Sequence, residues 1–133
     1  MRLLYVDTSA VVKLLLAEEE SDALAEFLRS ADGALVTSRI GVVELRRVAR
    51  RGGANPDRAD ALAASLAVIE LDQTVEQIAV KLDPDLRALD ALHLASALAT
   101  GDALCGFVCY DARLASAATR EGLAVVAPGR PLA

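Results

Sequence analysis

Five short apolar runs recur along this chain, at residues 2–6, 34–37, 68–71, 106–110 and 123–127. Stretches with helical spacing separate them. Apolar runs of this length, bounded by turn signals, read as buried strands. Helices are expected at residues 9–17, from Ser21 to a stop at Gly33, and at 39–51, where Gly52-Gly53 ends the pattern. Further helices are expected from Asn55-Pro56 to about residue 66, then at 74–82, 86–99 and 112–121. Asp83-Pro84-Asp85 breaks the chain between two of them. Strands alternating with helices predict an α/β fold with a mostly parallel sheet. The tail Pro128-Gly129-Arg130-Pro131 reads as loose.

A chain of 133 residues is expected to form one domain, residues 1–133, with a core that needs no disulfide staples. Apolar residues make up 54% of it, well above a disordered composition, and with no Trp the core is expected to be aliphatic. Met1-Arg2 leads directly into a strand, so no targeting segment is read. Lys13 and the run Glu18-Glu19-Glu20 interrupt the first apolar stretch short of the roughly 20 residues a membrane span needs. A cytoplasmic protein without a membrane partner is the expectation. Cys105 and Cys109 are too few for a structural zinc site and read as buried, reduced thiols. The net charge of −5 argues against simple electrostatic binding of nucleic acid. Even so, Arg39, Arg46, Arg47, Arg50, Arg51 and Arg58 crowd one stretch, either as a solvated helix face or as a phosphate-binding one.

Four carboxylates stand at junctions of this pattern. Asp7 follows the first strand in Asp7-Thr8-Ser9, and Asp111 follows the fourth. In open parallel sheets, ligands bind beyond the carboxyl ends of the strands, where both acids fall. Each also suits the plain role of helix N-cap. Glu44 lies in the Arg-rich helix with Arg47 at i+3, so a surface ion pair is its simplest reading. Asp90 sits in the very apolar segment Leu89-Asp90-Ala91-Leu92-His93-Leu94-Ala95. There it either faces solvent, pairs with Arg87 at i−3, or is held by a cation. His93, the only histidine, reads first as a structural hydrogen bonder. Hard cations such as Mg²⁺ take oxygen ligands, so a metal-dependent enzyme is one outcome of placing four acids here.

Taken in order, Leu4-Tyr5-Val6-Asp7-Thr8-Ser9-Ala10, Ser38 with Glu44-Leu45, Leu89-Asp90-Ala91-Leu92-His93-Leu94-Ala95 and Val108-Cys109-Tyr110-Asp111 resemble the motifs of the PIN-domain ribonucleases, specifically the VapC-type toxins of toxin–antitoxin pairs. The resemblance covers nearly the whole chain. It implies a three-layer α/β/α fold with about five strands, and a Mg²⁺ (or Mn²⁺) pocket formed by Asp7, Glu44, Asp90 and Asp111. Ser9, Thr8 and Ser38 are the implied auxiliary polar residues. RNA is the implied substrate, with Arg39, Arg47, Arg51 and Arg113 as candidate contacts. A VapB-type antitoxin and a second copy of the chain are the implied partners. The apolar faces around residues 11–16 and 24–28 are a candidate groove for an amphipathic segment. Cys109 stands where the family commonly has Thr or Ser, and a thiol is a poor Mg²⁺ ligand.

Two other phosphate chemistries fit less well. A haloacid-dehalogenase-like phosphatase needs a second Asp two residues after the first, and that position is Ser9. A receiver domain needs an N-terminal acidic pair and a late Lys, whereas Lys13 and Lys81 are the only lysines. A PIN-like protein that only binds a partner is the remaining alternative.

Overall fold

The computed structural model describes residues 1–130. Its strands are β1 (Leu3–Val6), β2 (Ala34–Ser38), β3 (Ala67–Ile69), β4 (Leu104–Val108) and β5 (Val125–Val126). Its helices are α1 (Thr8–Leu15), α2 (Ser21–Ser30), α3 (Arg39–Arg51), α4 (Pro56–Ala64), α5 (Gln73–Lys81), α6 (Ala88–Leu98) and α7 (Ala112–Arg120). All strand pairings are parallel, in the order β3-β2-β1-β4-β5. The chain leaves the central β1 toward β2 on one side and later returns to β4 on the other. The strand order therefore switches direction between β1 and β4, which opens a crevice at their carboxyl ends.

Side-chain alternation divides the core into two layers. Tyr5, Val36 and Phe107 face α5, α6 and α7, where Val75, Leu94 and Leu114 cover them. Val6 and Val108 face the opposite way, under Val11 and Leu15 of α1, Leu24 of α2, Leu45 of α3 and Ala59 of α4. This is the expected α/β/α sandwich. The core is not purely aliphatic, however. Tyr5 and Phe107 are fully buried and stacked, with ring centroids 5.2 Å apart and planes 7° from parallel. Stacking of this pair adds about 0.5–1.5 kcal/mol to its burial, and Tyr110 is a further buried aromatic on the opposite side of the sheet.

Helix starts follow local capping chemistry. Asp7, Ser38, Asn55, Asp72 and Asp111 each accept a hydrogen bond from a backbone N–H in the first turn of α1, α3, α4, α5 and α7. Gly41 answers a tertiary demand. A Cβ there would lie 2.2 Å from Thr37 Oγ1, so only glycine lets α3 pack this close to the end of β2. The Thr37 hydroxyl beneath it is buried with no hydrogen-bond partner among the described residues.

Three expectations are corrected. β4 ends at Val108, so Asp111 follows it by a short connection rather than directly. Cys105 is exposed, because it lies at the less covered start of β4; Cys109 is buried as expected. The tail is held rather than loose through Arg130. Arg130 Nε reaches Glu20 at 3.0 Å, and its Nη1 donates to the Tyr110 carbonyl at 2.6 Å. Tyr110 in turn donates its hydroxyl to the Pro128 carbonyl at 2.7 Å, and Lys13 Nζ binds Glu20 at 2.9 Å. A cation on each side makes burial of Glu20 tolerable and holds its carboxyl below the usual range, with the Lys13 bond foremost. Pro131 lies outside the described residues.

Candidate functional site

Asp7 leaves β1 at the centre of the sheet and is buried. Its Oδ1 accepts from Ser9 Oγ at 2.6 Å and from the Ala10 N–H at 3.2 Å, and its Oδ2 accepts from Cys109 Sγ at 3.2 Å. All three donors are neutral. Burial raises the Asp7 pKa above the ordinary aspartate value; the Ser9 and Cys109 hydrogen bonds oppose this only in part. Removal from water, and not repulsion by the other acids, is the leading cause. The same burial, reinforced by the charge of Asp7, lifts the Cys109 thiol far above its usual range, so this thiol is a hydrogen-bond donor and not a thiolate. Ser9 also accepts the Tyr110 N–H at 2.8 Å. One hydroxyl thus joins the ends of β1 and β4 across the crevice.

Glu44 lies on α3, one turn beyond the Gly41 contact. Its expected partner was Arg47, but the structure gives it two others. Thr8 Oγ1 donates to Glu44 Oε1 at 2.5 Å, and His93 Nε2 lies 2.7 Å from the same oxygen. Thr8 Oγ1 and His93 Nε2 are themselves 3.1 Å apart. The Tyr5 hydroxyl meets the other ring nitrogen, Nδ1, at 2.8 Å. Partial burial of Glu44 favours its neutral form, yet the His93 and Thr8 hydrogen bonds outweigh it and leave the pKa below the ordinary glutamate value.

Asp90 and His93 occupy neighbouring turns of α6 and diverge. His93 turns inward, 3% exposed, whereas the Asp90 side chain is 16% exposed and lies 3.3 Å from Arg87 Nε. The i−3 pair read from the sequence is therefore present. Asp111 caps α7 through the Leu114 N–H at 3.0 Å. Ser38 caps α3 through the Gly41 N–H at 3.1 Å.

The four acids thus come from the ends of β1 and β4 and from the helices α3 and α6, but each is engaged separately. Among the described residues, no three His, Cys, Asp or Glu side chains are grouped to hold an ion. In donor chemistry the set suits a hard cation, since all four offer carboxylate oxygens and the buried Asp7 has only neutral partners. Gathering them around one ion requires the carboxyls to turn toward a common centre.

The candidate basic residues fall on separate parts of the surface. Arg39 binds Glu70 through two nitrogens. Arg47 and Arg51 line an open groove of about 340 Å³ with Val43, Arg46 and Arg50. Arg113 lines another, of about 440 Å³, with Ser116 and Arg120 on one wall and Asp83 and Asp85 on the other. The residue that sequence reasoning overlooked is Tyr5. The one signal for it was a hydroxyl-bearing aromatic in an otherwise aliphatic strand.

A profile of the PIN domain family matches residues 4–120. Ribonuclease VapC35 of Mycobacterium tuberculosis is 41% identical over 135 aligned positions, spanning 96% of this chain and 98% of the relative. Among solved structures, the Mycobacterium tuberculosis toxin VapC20, described as cleaving the sarcin–ricin loop, superposes with a TM-score of 0.71 at 21% identity, covering 94% of this chain and 99% of the other. A chain of a toxin–antitoxin complex from Klebsiella pneumoniae superposes with a TM-score of 0.67 at 19% identity, covering 84% and 87%. At these identities the structural likeness speaks to the fold alone.

Proposed function

The chain belongs to the PIN-domain family, and on that premise we propose that it is the ribonuclease toxin of a toxin–antitoxin pair, hydrolysing RNA phosphodiester bonds with a hard divalent cation, Mg²⁺ or Mn²⁺. The observation that carries this reading is the Asp7 carboxylate. It is buried at the switch point of a parallel sheet and contacted only by neutral donors. A buried carboxylate with no cation in contact costs stability, and a bound cation would remove that cost.

In this reading Asp7, Glu44, Asp90 and Asp111 would hold the ion, which would supply water activation and charge neutralisation at the scissile phosphate. Ser9 keeps Asp7 in place and ties β1 to β4. Thr8 and Ser38 act at one remove, Thr8 by fixing Glu44 and Ser38 by capping the helix that carries it. Arg47, Arg51 and Arg113, which line open grooves, are the candidates for phosphates flanking the scissile one. Arg39 can do so only after leaving Glu70. Cys109 occupies the position of the family's hydroxyl as a neutral donor to Asp7, so the thiol serves the carboxylate and not the metal.

The proposed partners are a VapB-type antitoxin and a second copy of the chain, and the proposed setting is the cytoplasm. Among the described residues no helix is long and apolar enough to cross a membrane. Val11, Leu15 and Leu24 of the expected groove are buried in the core, which leaves half-exposed Leu14, Leu16, Phe27 and Leu28 for an amphipathic segment. The test is cleavage of a structured RNA with Mg²⁺, Mn²⁺ or EDTA. Cleavage should require the metal and be lost in Asp7→Asn and Asp90→Asn variants that remain folded. Cleavage that is unchanged in EDTA, or by both variants, refutes the metal mechanism.

A further inference from the structure

The mechanism above leaves His93 and Tyr5 without a role, although both are buried and bonded toward Glu44. The hydrogen positions in this cluster follow from simple accounting. Glu44 Oε1 can only accept while the carboxyl is ionised. Thr8 has one proton and gives it to Glu44, so its oxygen can only accept from His93. Two acceptors therefore face Nε2, and Nε2 must carry a proton. Nδ1 is left to meet the Tyr5 hydroxyl, a donor held by the stack on Phe107. Tyr5 is also edge-on to the imidazole, with centroids 6.0 Å apart at 82°. Both bonds to Glu44 land on Oε1, so Oε2 is the oxygen left to reach an ion.

We propose that Tyr5 and His93 form a buried positioning relay, in which the Tyr5 hydroxyl holds the imidazole ring through Nδ1 and His93 Nε2–H, with Thr8, pins Glu44 by Oε1 so that Oε2 is presented to the divalent cation. His93 is a positioning residue and touches neither metal nor RNA. The proposal rests on the reading of Glu44 as a metal ligand. The relay also places the aromatic stack of the core directly behind the site, so the carboxylate is oriented by a rigid group and not by a mobile surface side chain. Partners of this kind behind metal ligands typically change metal affinity by about 10–100-fold when removed.

Because His93 is the only histidine, its ring nitrogens can be read directly by nitrogen-15 NMR of the whole chain. In metal-free wild type the expected pattern is protonated Nε2 and unprotonated Nδ1, with both signals moving when Mg²⁺ is added. Tyr5→Phe keeps the stack on Phe107 and removes only the hydroxyl. It should shift the Nδ1 signal, loosen the ring and weaken Mn²⁺ binding, measured by calorimetry, by about tenfold. His93→Ala should weaken it at least as much, and His93→Gln, which can return an amide N–H, should recover part of the loss. A protonated Nδ1 in the wild type, or Tyr5→Phe with wild-type spectra and Mn²⁺ affinity, overturns the relay. If the wild type binds Mn²⁺ and shows the relay but leaves RNA intact, the ribonuclease reading fails and the relay stands. If the wild type binds no Mn²⁺, the metal reading of the site fails, and with it the role assigned to Oε2.

Discussion

Replacing Asp7 by Asn tests whether the central carboxylate is held against its own preference. Asn can keep its carbonyl where Oδ1 now accepts from Ser9 and the Ala10 N–H, so the α1 cap survives. Its amide then faces Cys109 Sγ, and one thiol hydrogen bond is lost. A neutral hydrogen bond is worth about 0.5–1.5 kcal/mol net, and a thiol lies at the weak end. Against this, a pKa unit corresponds to about 1.4 kcal/mol. The sign follows from burial, which raises the folded pKa of Asp7 above its unfolded value. The contribution of Asp7 is then fully present below the unfolded pKa and is lost as pH rises through the folded pKa. In EDTA at pH 7 the variant should therefore equal or exceed the wild type in stability. Toward pH 3 the advantage should vanish and reverse, because wild-type Asp7 is then protonated and keeps its full hydrogen bonding. Paired thermal melts from pH 3 to 8 read this directly, with 1 kcal/mol appearing as about 3 °C in a chain of this size. A variant less stable than wild type by more than about 1 kcal/mol at pH 7, or a difference that does not change with pH, refutes the argument. With saturating Mg²⁺ the order at pH 7 should invert, since only the wild type gains from the ion.

Gly41→Ala should cost about 1–3 kcal/mol, because its Cβ would sit 2.2 Å from Thr37 Oγ1; denaturant unfolding should show most of that cost removed in a Thr37→Ala background. Asp90→Asn should change metal-free stability by less than about 1 kcal/mol, since Arg87 is largely exposed and such pairs are weak; calorimetry in EDTA checks this. Arg130→Ala should lower the melting temperature, and the difference from wild type should shrink as pH falls. Glu20 has a depressed folded pKa, so its contribution is present above the unfolded value and lost as pH drops through the folded one. A variant that melts with the wild type at pH 7 would show that the tail contacts add nothing.

Much of the architecture was legible because it rests on local chemistry. Apolar runs, Gly stops and the Asp, Ser and Asn caps act within a few residues, and they placed seven helices and five strands to within a few positions of those observed. The four acids and their junctions were legible for the same reason, as was the Arg87–Asp90 pair three residues apart. What the chain could not reveal locally were choices between partners far apart in sequence. Glu44 had a neighbouring arginine available but meets His93, 49 residues away, because Gly41 lets α3 settle against β2 and burial makes a bonded imidazole the better partner. Tyr5 finds His93 across 88 residues, and Cys109 finds Asp7 across 102. Arg130 closes on Glu20 across 110 residues, which turned an expected loose tail into a clasp. Periodicity determines which face of an element is buried; only the packed sheet order decides which polar groups share that burial, because each must find its hydrogen bonds among whatever neighbours the fold delivers.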